Sequence, residues 1–590
     1  MPELILWNSV AGRRRSPGDT FLENGLALLE TVLSREGYAV EVVDWARGGL
    51  WESFTPKPLA RLSHTLAEKL VARPGAPAPG KLARKLYGNA FFLLQESVAR
   101  TQRRRQRQML RSLALRVRDS GCRVLGIKTW YGEAFTAARS LASMLRQLAP
   151  GVLIVAGGPH ASIYREAILE DGLFDLVVAG SGEKPLARLL ELARKSDSRE
   201  SLLSALAEPL TRGELGNSVL RLDGQTYTAP AVADTAEDKV IPVYSTDTRG
   251  KTLIHVLVDS LGCPWGKCSF CVHSRIYPQH SLRPADQVVR EIEYQLGQGI
   301  GIFRFAGSST TLELAEDIAA RLLERGLSVI FSMFARAETG AAEQSVRARV
   351  VESYRVLTRA GLRAVFLGAE SGSDKANAVV MNKGARREDL IATVSAMREA
   401  ARAEGVHLDI GLSLIYPAPT RGKFSLQELA ADDLSLVEAC GPDSVLVSPP
   451  APFPGADWFE QRQCYGFELA DSFVRDMLEY DYVLYKPPSM WPDVGLRLEG
   501  RDLRSILAEC QGLRAELEKR GIITEVTDEH FLMLRAAGFE GAAGAAAFKR
   551  AALIGLLSCD YRWMDSLQER VNRVSREIAA RNAERSTVSN

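Results

Sequence analysis

Three cysteines, Cys263, Cys268 and Cys271, fall within nine positions of a chain that holds eight in 590 residues. Thiolates this close on one loop point to a metal, and two chemistries compete. The triplet can hold three irons of a [4Fe–4S] cluster, leaving the fourth iron open to a substrate or cofactor. It can also supply three corners of a structural zinc site. Zinc then needs a fourth ligand, and the nearby candidate, His273, stands two residues past Cys271 and is sterically awkward. No second Cys-x-x-Cys exists elsewhere. These points favour the open iron–sulfur site. Cys122, Cys440, Cys464, Cys510 and Cys559 are scattered and read as small core hydrophobes, and eight cysteines are too sparse for a disulfide scaffold.

The elements that must position this loop are legible as apolar runs. Strand candidates Leu253 to Val258, Ile302 to Phe305, Val329 to Phe331, Ala364 to Leu367, Leu408 to Leu412 and Val445 to Val447 alternate with helix-spaced stretches. The cysteines directly follow the first of them. Six strand–helix units predict a partial (β/α)6 barrel of TIM type over 251–465, with its active site at the carboxyl ends of the strands. Residues 1–195 show the same alternation and predict a flavodoxin-like, Rossmann-type α/β domain with a parallel sheet. An insertion, 46–119, interrupts it and carries basic runs read as solvated helix faces. Ligands of such sheets bind beyond the strand ends, which here read Trp7-Asn8-Ser9, Lys128-Thr129-Trp130-Tyr131, Gly157-Gly158-Pro159-His160 and Gly180-Ser181-Gly182-Glu183. The glycines suit close approach of backbone to a bulky ligand, or equally a tight turn. Residues 196–250 turn polar and predict a linker with one hairpin around Asp223-Gly224, and 466–590 reads as a helical C-terminal domain.

Composition narrows the function classes. Charged residues are 25% and hydrophobic ones 46%, so the chain reads as folded rather than disordered. The 74 Lys and Arg against 72 Asp and Glu leave +2, with no overall field for nucleic acid. No apolar run reaches the roughly 18 residues of a spanning helix, and the N-terminus has no basic stretch before its apolar residues. The expectation is a cytoplasmic, multi-domain enzyme that binds neither nucleic acid nor membrane.

With these residues in view, the stretch from about Leu253 to Gly455 resembles the radical S-adenosylmethionine (SAM) superfamily. The cysteine spacing is four then two, where that family has three then two. Phe270 matches its aromatic position near the adenine, and the segment Phe366 to Ser373 resembles its fourth-strand segment. The resemblance implies that Glu370 and Ser371 lie near the ribose and amino-acid part of SAM. Asp409 to Tyr416 is similar to the fifth-strand segment beside the adenine, and Arg336 is implied as a partner of the SAM carboxylate. Phe305 to Thr310 departs from the Gly-Gly-Glu type motif.

The whole order of domains resembles the cobalamin-binding radical SAM family. Trp7, Asn8, Thr129, Trp130, Tyr131, Gly157, Gly158, Pro159, His160, Gly180, Ser181, Gly182 and Glu183 are thereby implied around cobalamin. None of the seven histidines has Asp two before and Gly three after it, so the resemblance implies cobalamin without a histidine lower ligand. The family logic implies a [4Fe–4S] cluster, SAM, cobalamin and an electron donor such as flavodoxin or ferredoxin. The activity implied is C-methylation of a natural-product or peptide substrate. A non-methylating cyclase or rearrangement enzyme with the same cofactors is the alternative, and a zinc-stabilised scaffold is the reading from another class.

Overall fold

The computed structural model describes residues 1–9, 17–47, 50–71, 80–230, 232–236, 239–244, 251–307, 309–480, 491–539 and 541–588. The first sheet contains β1 (Leu4–Asn8), β2 (Val40–Asp44), β3 (Val124–Lys128), β4 (Leu153–Gly157) and β5 (Leu176–Val177), all parallel, in the order 2-1-3-4-5. This is the flavodoxin-like order. Both faces are covered, which is why the strands are apolar at nearly every position. One face packs on Leu26, Leu33, Leu186 and Leu190, the other on Leu113, Val117, Leu141 and Leu145.

Two expectations about this half need correction. The helix Lys81–Asp119 is no mere insertion, because its second half buries Leu110, Leu113, Ala114 and Val117 against the sheet as the crossover into β3. The stretch 196–250 is also more than a linker. The helix Arg199–Thr211 buries Leu202, Leu206 and Leu210 in the same core. The hairpin β6 (Val219–Leu222) and β7 (Gln225–Thr228) turns at Asp223-Gly224 as read, but β6 pairs antiparallel with β5, extending the first sheet to seven strands. Positions 245–250 of that stretch, and 48–49 and 72–79 of the insertion, lie outside the described residues.

The second sheet is the expected open barrel. Strand β8 (Ile254–Leu257) leads, through the short pair β9 (Ser260–Leu261) and β10 (Ser281–Leu282), to β11 (Ile302–Phe305), β12 (Ile330–Ala335), β13 (Leu362–Glu370), β14 (Asp409–Ile415) and β15 (Ser444–Ser448). The six long strands are parallel and neighbours in sequence are neighbours in space. After the barrel comes the helical C-terminal region that was expected, with a small three-stranded antiparallel sheet at its start: β16 (Phe467–Leu469), β17 (Leu496–Leu498) and β18 (Arg501–Asp502). The short helix Asp528–Ala536 then packs on β12 and β13, with Asp528 reaching Arg304 of β11 and Ser332 of β12. Among the described residues, no helix is long and apolar enough to cross a membrane.

Candidate active site

The cysteine loop, 262–280, is closed at its base by the antiparallel pair β9 and β10. Its interior is stitched to distant segments. Ser269 N donates to Met381 O at 2.9 Å, Asn382 Nδ2 to Lys267 O at 2.8 Å, and Trp265 Nε1 to Asn382 O at 2.7 Å. Trp458, fully buried, donates its backbone N to Ser269 O and its indole Nε1 to Val380 O. Phe270 lies 5.7 Å from the Trp458 ring, so an aromatic wall backs one side of the loop.

All three cysteines are partly exposed, unlike Cys122, Cys440, Cys510 and Cys559, which are buried as core residues. The exposed Cys464 is the exception to the core reading of the scattered cysteines. Among the described residues, the His, Cys, Asp and Glu ligand atoms drawn within 4.8 Å of one another are those of His407, Asp409 and Asp443, not the three thiols. A zinc tetrahedron with Zn–S near 2.3 Å holds its sulfurs about 3.8 Å apart. The three thiols are not all within 4.8 Å of one another, a wider spacing that suits three iron corners of a larger cluster. Burial raises Cys268, opposed by the positive charges of Lys383 and Arg336, and pushes Cys271 up to about 11. Bound iron would supply the positive charge that thiolates in such a setting need.

Those cations belong to a second group of residues at the carboxyl ends of β12 and β13. Glu370 sits at a bulge with φ +62°, a strained conformation for a residue with a side chain and of the kind found at ligand sites. Its Oε1 accepts from Lys383 Nζ at 3.0 Å and its Oε2 from Ser413 Oγ at 3.2 Å. A Cβ at Gly368 would fall 2.4 Å from Glu370 Oε1 and 2.7 Å from Lys383 Nζ, so glycine there makes room for the pair. Arg336 donates to Lys383 O at 2.6 Å. Cys268, Arg336, Glu370 and Lys383 thus form one polar group. Ser371 is turned elsewhere: its Oγ donates to Asp433 Oδ1 at 3.1 Å and accepts from Ser373 N, so it builds the turn behind Glu370. In the segment that departs from the family pattern, Gly307 N donates to Asp259 Oδ1 at 2.9 Å, while Ser308 lies outside the described residues.

A cavity of about 650 Å³ opens at the carboxyl edge of the first sheet and runs to the barrel. Of the residues singled out there, Asn8, Trp130, Gly157, Gly158, Pro159, Gly180, Ser181, Gly182 and Glu183 line it. Trp7 does not. Side chains alternate along a strand, so Leu6 and Asn8 face the cavity while Trp7 is fully buried on the other face against Trp45. Thr129 is buried with its N bonded to Gly157 O, and Tyr131 is half exposed. His160 packs among Trp130, Tyr131 and Tyr164, where burial and nearby Lys128 push it down to about 4, a neutral ring apart from the cavity.

The cavity fits a large amphipathic ligand. Its inner wall is apolar, from Leu6, Leu26, Leu29, Val155, Val178 and Leu186. Its rim is charged: Lys239 Nζ donates to Ser181 Oγ at 2.7 Å and Glu183 Oε1 at 2.6 Å, and Lys128 pairs with Glu23. A Cβ at Gly157 would meet only Val178 O, at 3.9 Å, so a side chain there is not blocked by the protein itself. Lys239, Glu23, Lys383, Arg304 and Glu529 were not singled out from sequence as site residues, because single charged residues carry no spacing signal until the fold brings them together.

A family model described as B12 binding domain matches residues 103–190, and one described as Radical SAM superfamily matches residues 257–412. The chain carries a B12-binding domain followed by a radical SAM domain. No curated protein matches the sequence significantly. Among solved structures, the chain is similar to the radical SAM methyltransferase TsrM from Kitasatospora setae, solved with cobalamin and a [4Fe–4S] cluster. The identity is 16%, with 94% of this chain and 99% of that one covered at a TM-score of 0.58. TsrM with tryptophan and a SAM analogue gives 15% identity, coverage of 90% and 92%, and a TM-score of 0.55. The cobalamin-dependent SAM radical enzyme OxsB, with aqua-cobalamin and SAM, gives 16%, 88% and 62%, and 0.51. At these identities the likeness is one of fold, and it extends over both sheets and the C-terminal region.

Proposed function

We propose that this radical SAM protein is a cobalamin-dependent C-methyltransferase acting on a small-molecule or peptide substrate. The observation that carries the reading is the pairing of two sites in one molecule: an open cysteine triplet beside Arg336, Glu370 and Lys383, and a glycine-edged cavity running from the first sheet to the barrel. When bound, the cluster and SAM supply an adenosyl radical by reductive cleavage, and cobalamin carries the methyl group. Cys263, Cys268 and Cys271 hold the cluster, with Arg336 and Lys383 favouring the thiolate at Cys268. Glu370, fixed by Lys383 and Ser413, accepts hydrogen bonds from SAM, and Phe270, packed on Trp458, backs the cluster loop. Gly157, Gly158 and the loop Gly180–Glu183 let the corrin approach the first sheet, and no histidine is among the residues that line the cavity. The tryptophan-bound neighbour supports a small-molecule substrate.

The test is anaerobic reconstitution followed by product analysis. The radical route consumes two SAM molecules per turnover, so 5′-deoxyadenosine and S-adenosylhomocysteine appear in about equal amounts while the substrate gains one methyl mass. Replacing all three cysteines by Ala removes the cluster absorbance and about four irons per chain. Stoichiometric zinc without sulfide in the anaerobic wild type sinks the cluster assignment. Gly157→Leu, whose side chain enters the cavity, lowers cobalamin content and leaves iron intact. S-adenosylhomocysteine without deoxyadenosine identifies a polar methyl route. The second reading is a cyclase or rearrangement enzyme that uses the same cofactors, with which the similarity to the cobalamin-dependent SAM radical enzyme OxsB is compatible. Deoxyadenosine without a methylated product selects it.

A further inference from the structure

The cavity does not end at the first sheet. Its far wall is made by Arg304 of β11 and by Glu529, in the first turn of the helix Asp528–Ala536. Arg304 is occupied: its Nε donates to Asp528 Oδ2 at 2.7 Å, and its guanidinium lies 5.1 Å over Phe334. Among the described residues no hydrogen bond reaches the Glu529 carboxyl, which lies against Gly18 of the first half of the chain. A Cβ at Gly18 would stand 2.6 Å from that carboxyl, so where the two halves meet a side chain here must displace the end of Glu529. Burial pushes Glu529 up to about 7, opposed by Arg304 and aided by Asp528 and Asp19. Near neutral pH its carboxyl is therefore available both as an O–H donor and as an acceptor.

We propose that Glu529 belongs to the cobalamin site and pairs with a carboxamide on the rim of the corrin, so that the C-terminal helices close a cofactor site begun by the first sheet. The proposal rests on the cobalamin reading above. A primary amide offers N–H and C=O side by side, and a carboxyl that exchanges its proton near neutrality matches either. The carboxyl opens on the same cavity as Gly157 and Gly180–Glu183, which favours the cofactor over a substrate group as its partner. It follows that residues 103–190, which match the B12-binding model, supply only part of the site.

The experiment is a titration of the anaerobically reconstituted full chain with hydroxocobalamin, alongside iron per chain. Glu529→Leu weakens cobalamin binding by about tenfold or more, whereas Glu529→Gln, which keeps an amide-matching head group, stays within roughly threefold of wild type. Gly18→Ala, which displaces the carboxyl from the opposite side, also weakens binding. Iron is retained in all three. Wild-type affinity in both Glu529→Leu and Gly18→Ala overturns the proposal and leaves the carboxyl to the substrate, and equal loss in Glu529→Gln and Glu529→Leu overturns the amide pairing. If the wild type itself binds no cobalamin while keeping its iron, the cobalamin reading has failed, and this proposal with it.

Discussion

Glu370 and Lys383 show how a single pair of side chains can serve both stability and a site. Both are nearly buried, at 12% and 7% side-chain exposure, and 3.0 Å apart. Removing one partner of such a pair strands the other charge, at a cost of about 3–5 kcal/mol, whereas replacing both with apolar groups is often close to neutral. Glu370→Leu and Lys383→Met are therefore each expected to lower the unfolding free energy by that amount, and the double variant by much less. Denaturant unfolding of the three variants measures this coupling. SAM binding separates the roles, because the double variant regains stability without regaining affinity. Residues of this kind set the limit of sequence reading. The cysteine triplet stands out because its members fall within nine positions, whereas Glu370 stands out only through the resemblance of its segment to a family motif. Trp7 looked like a cavity residue because strand periodicity says that alternate residues share a face but not which face meets the ligand. Ser371 looked like a SAM contact, and only the buried Asp433, 62 residues on, reveals its structural bond.

Among the elements, β14 and β15 are joined at their entrances by His407. Its Nε2 lies 3.2 Å from Asp409 Oδ1 and 3.2 Å from Asp443 Oδ1, and these two carboxylates, Asp409 first, raise the imidazole to about 9. Arg535 and Arg398 already neutralise the same carboxylates, which makes the group a charge network rather than a metal site. A folded pKa above the unfolded value near 6.5 means that the stabilisation is complete below pH about 6.5 and is lost as pH rises through about 9. His407 is 56% exposed, so solvent screening keeps the effect small. The expected outcome is a fall in thermal midpoint between these pH values in the wild type that His407→Gln flattens. A midpoint with the same slope in both proteins removes His407 as its source. At this scale the barrel was legible because six apolar runs alternate with helical spacing. The role of 196–250 was not: its Asp-Gly turn is local, but the edge on which the hairpin docks belongs to β5, more than forty residues earlier.

The two halves of the molecule are coupled by polar groups as well as by the shared cavity. Lys251 Nζ, 6% exposed, bonds Asp44 Oδ2 at 2.8 Å and Ala46 O at 2.7 Å, tying the end of β2 to the entrance of β8. Asn24 Nδ2 donates to Val256 O at 2.6 Å, and Thr20 and Thr252 share a hydrogen bond at 2.7 Å. Lys251→Met leaves Asp44 buried without its cation and is expected to cost about 3 kcal/mol. Calorimetry should then resolve two unfolding transitions in place of one. A single transition with an unchanged midpoint removes Lys251 from the coupling.

The helix Arg562–Val588 has a further consequence, which belongs to the order of events during synthesis. Ser575 Oγ donates to Leu253 O and accepts from Gly301 N, so this helix floors the entrances of β8 and β11. Leu253 leaves the ribosome 322 residues ahead of its partner. At about 5–20 residues per second, that is a wait of roughly 16–60 s with the base of the barrel bare. Throughout that interval Leu253 O and Gly301 N lack their Ser575 partner, and a cluster delivered before the helix arrives meets a cysteine loop on an unfinished scaffold.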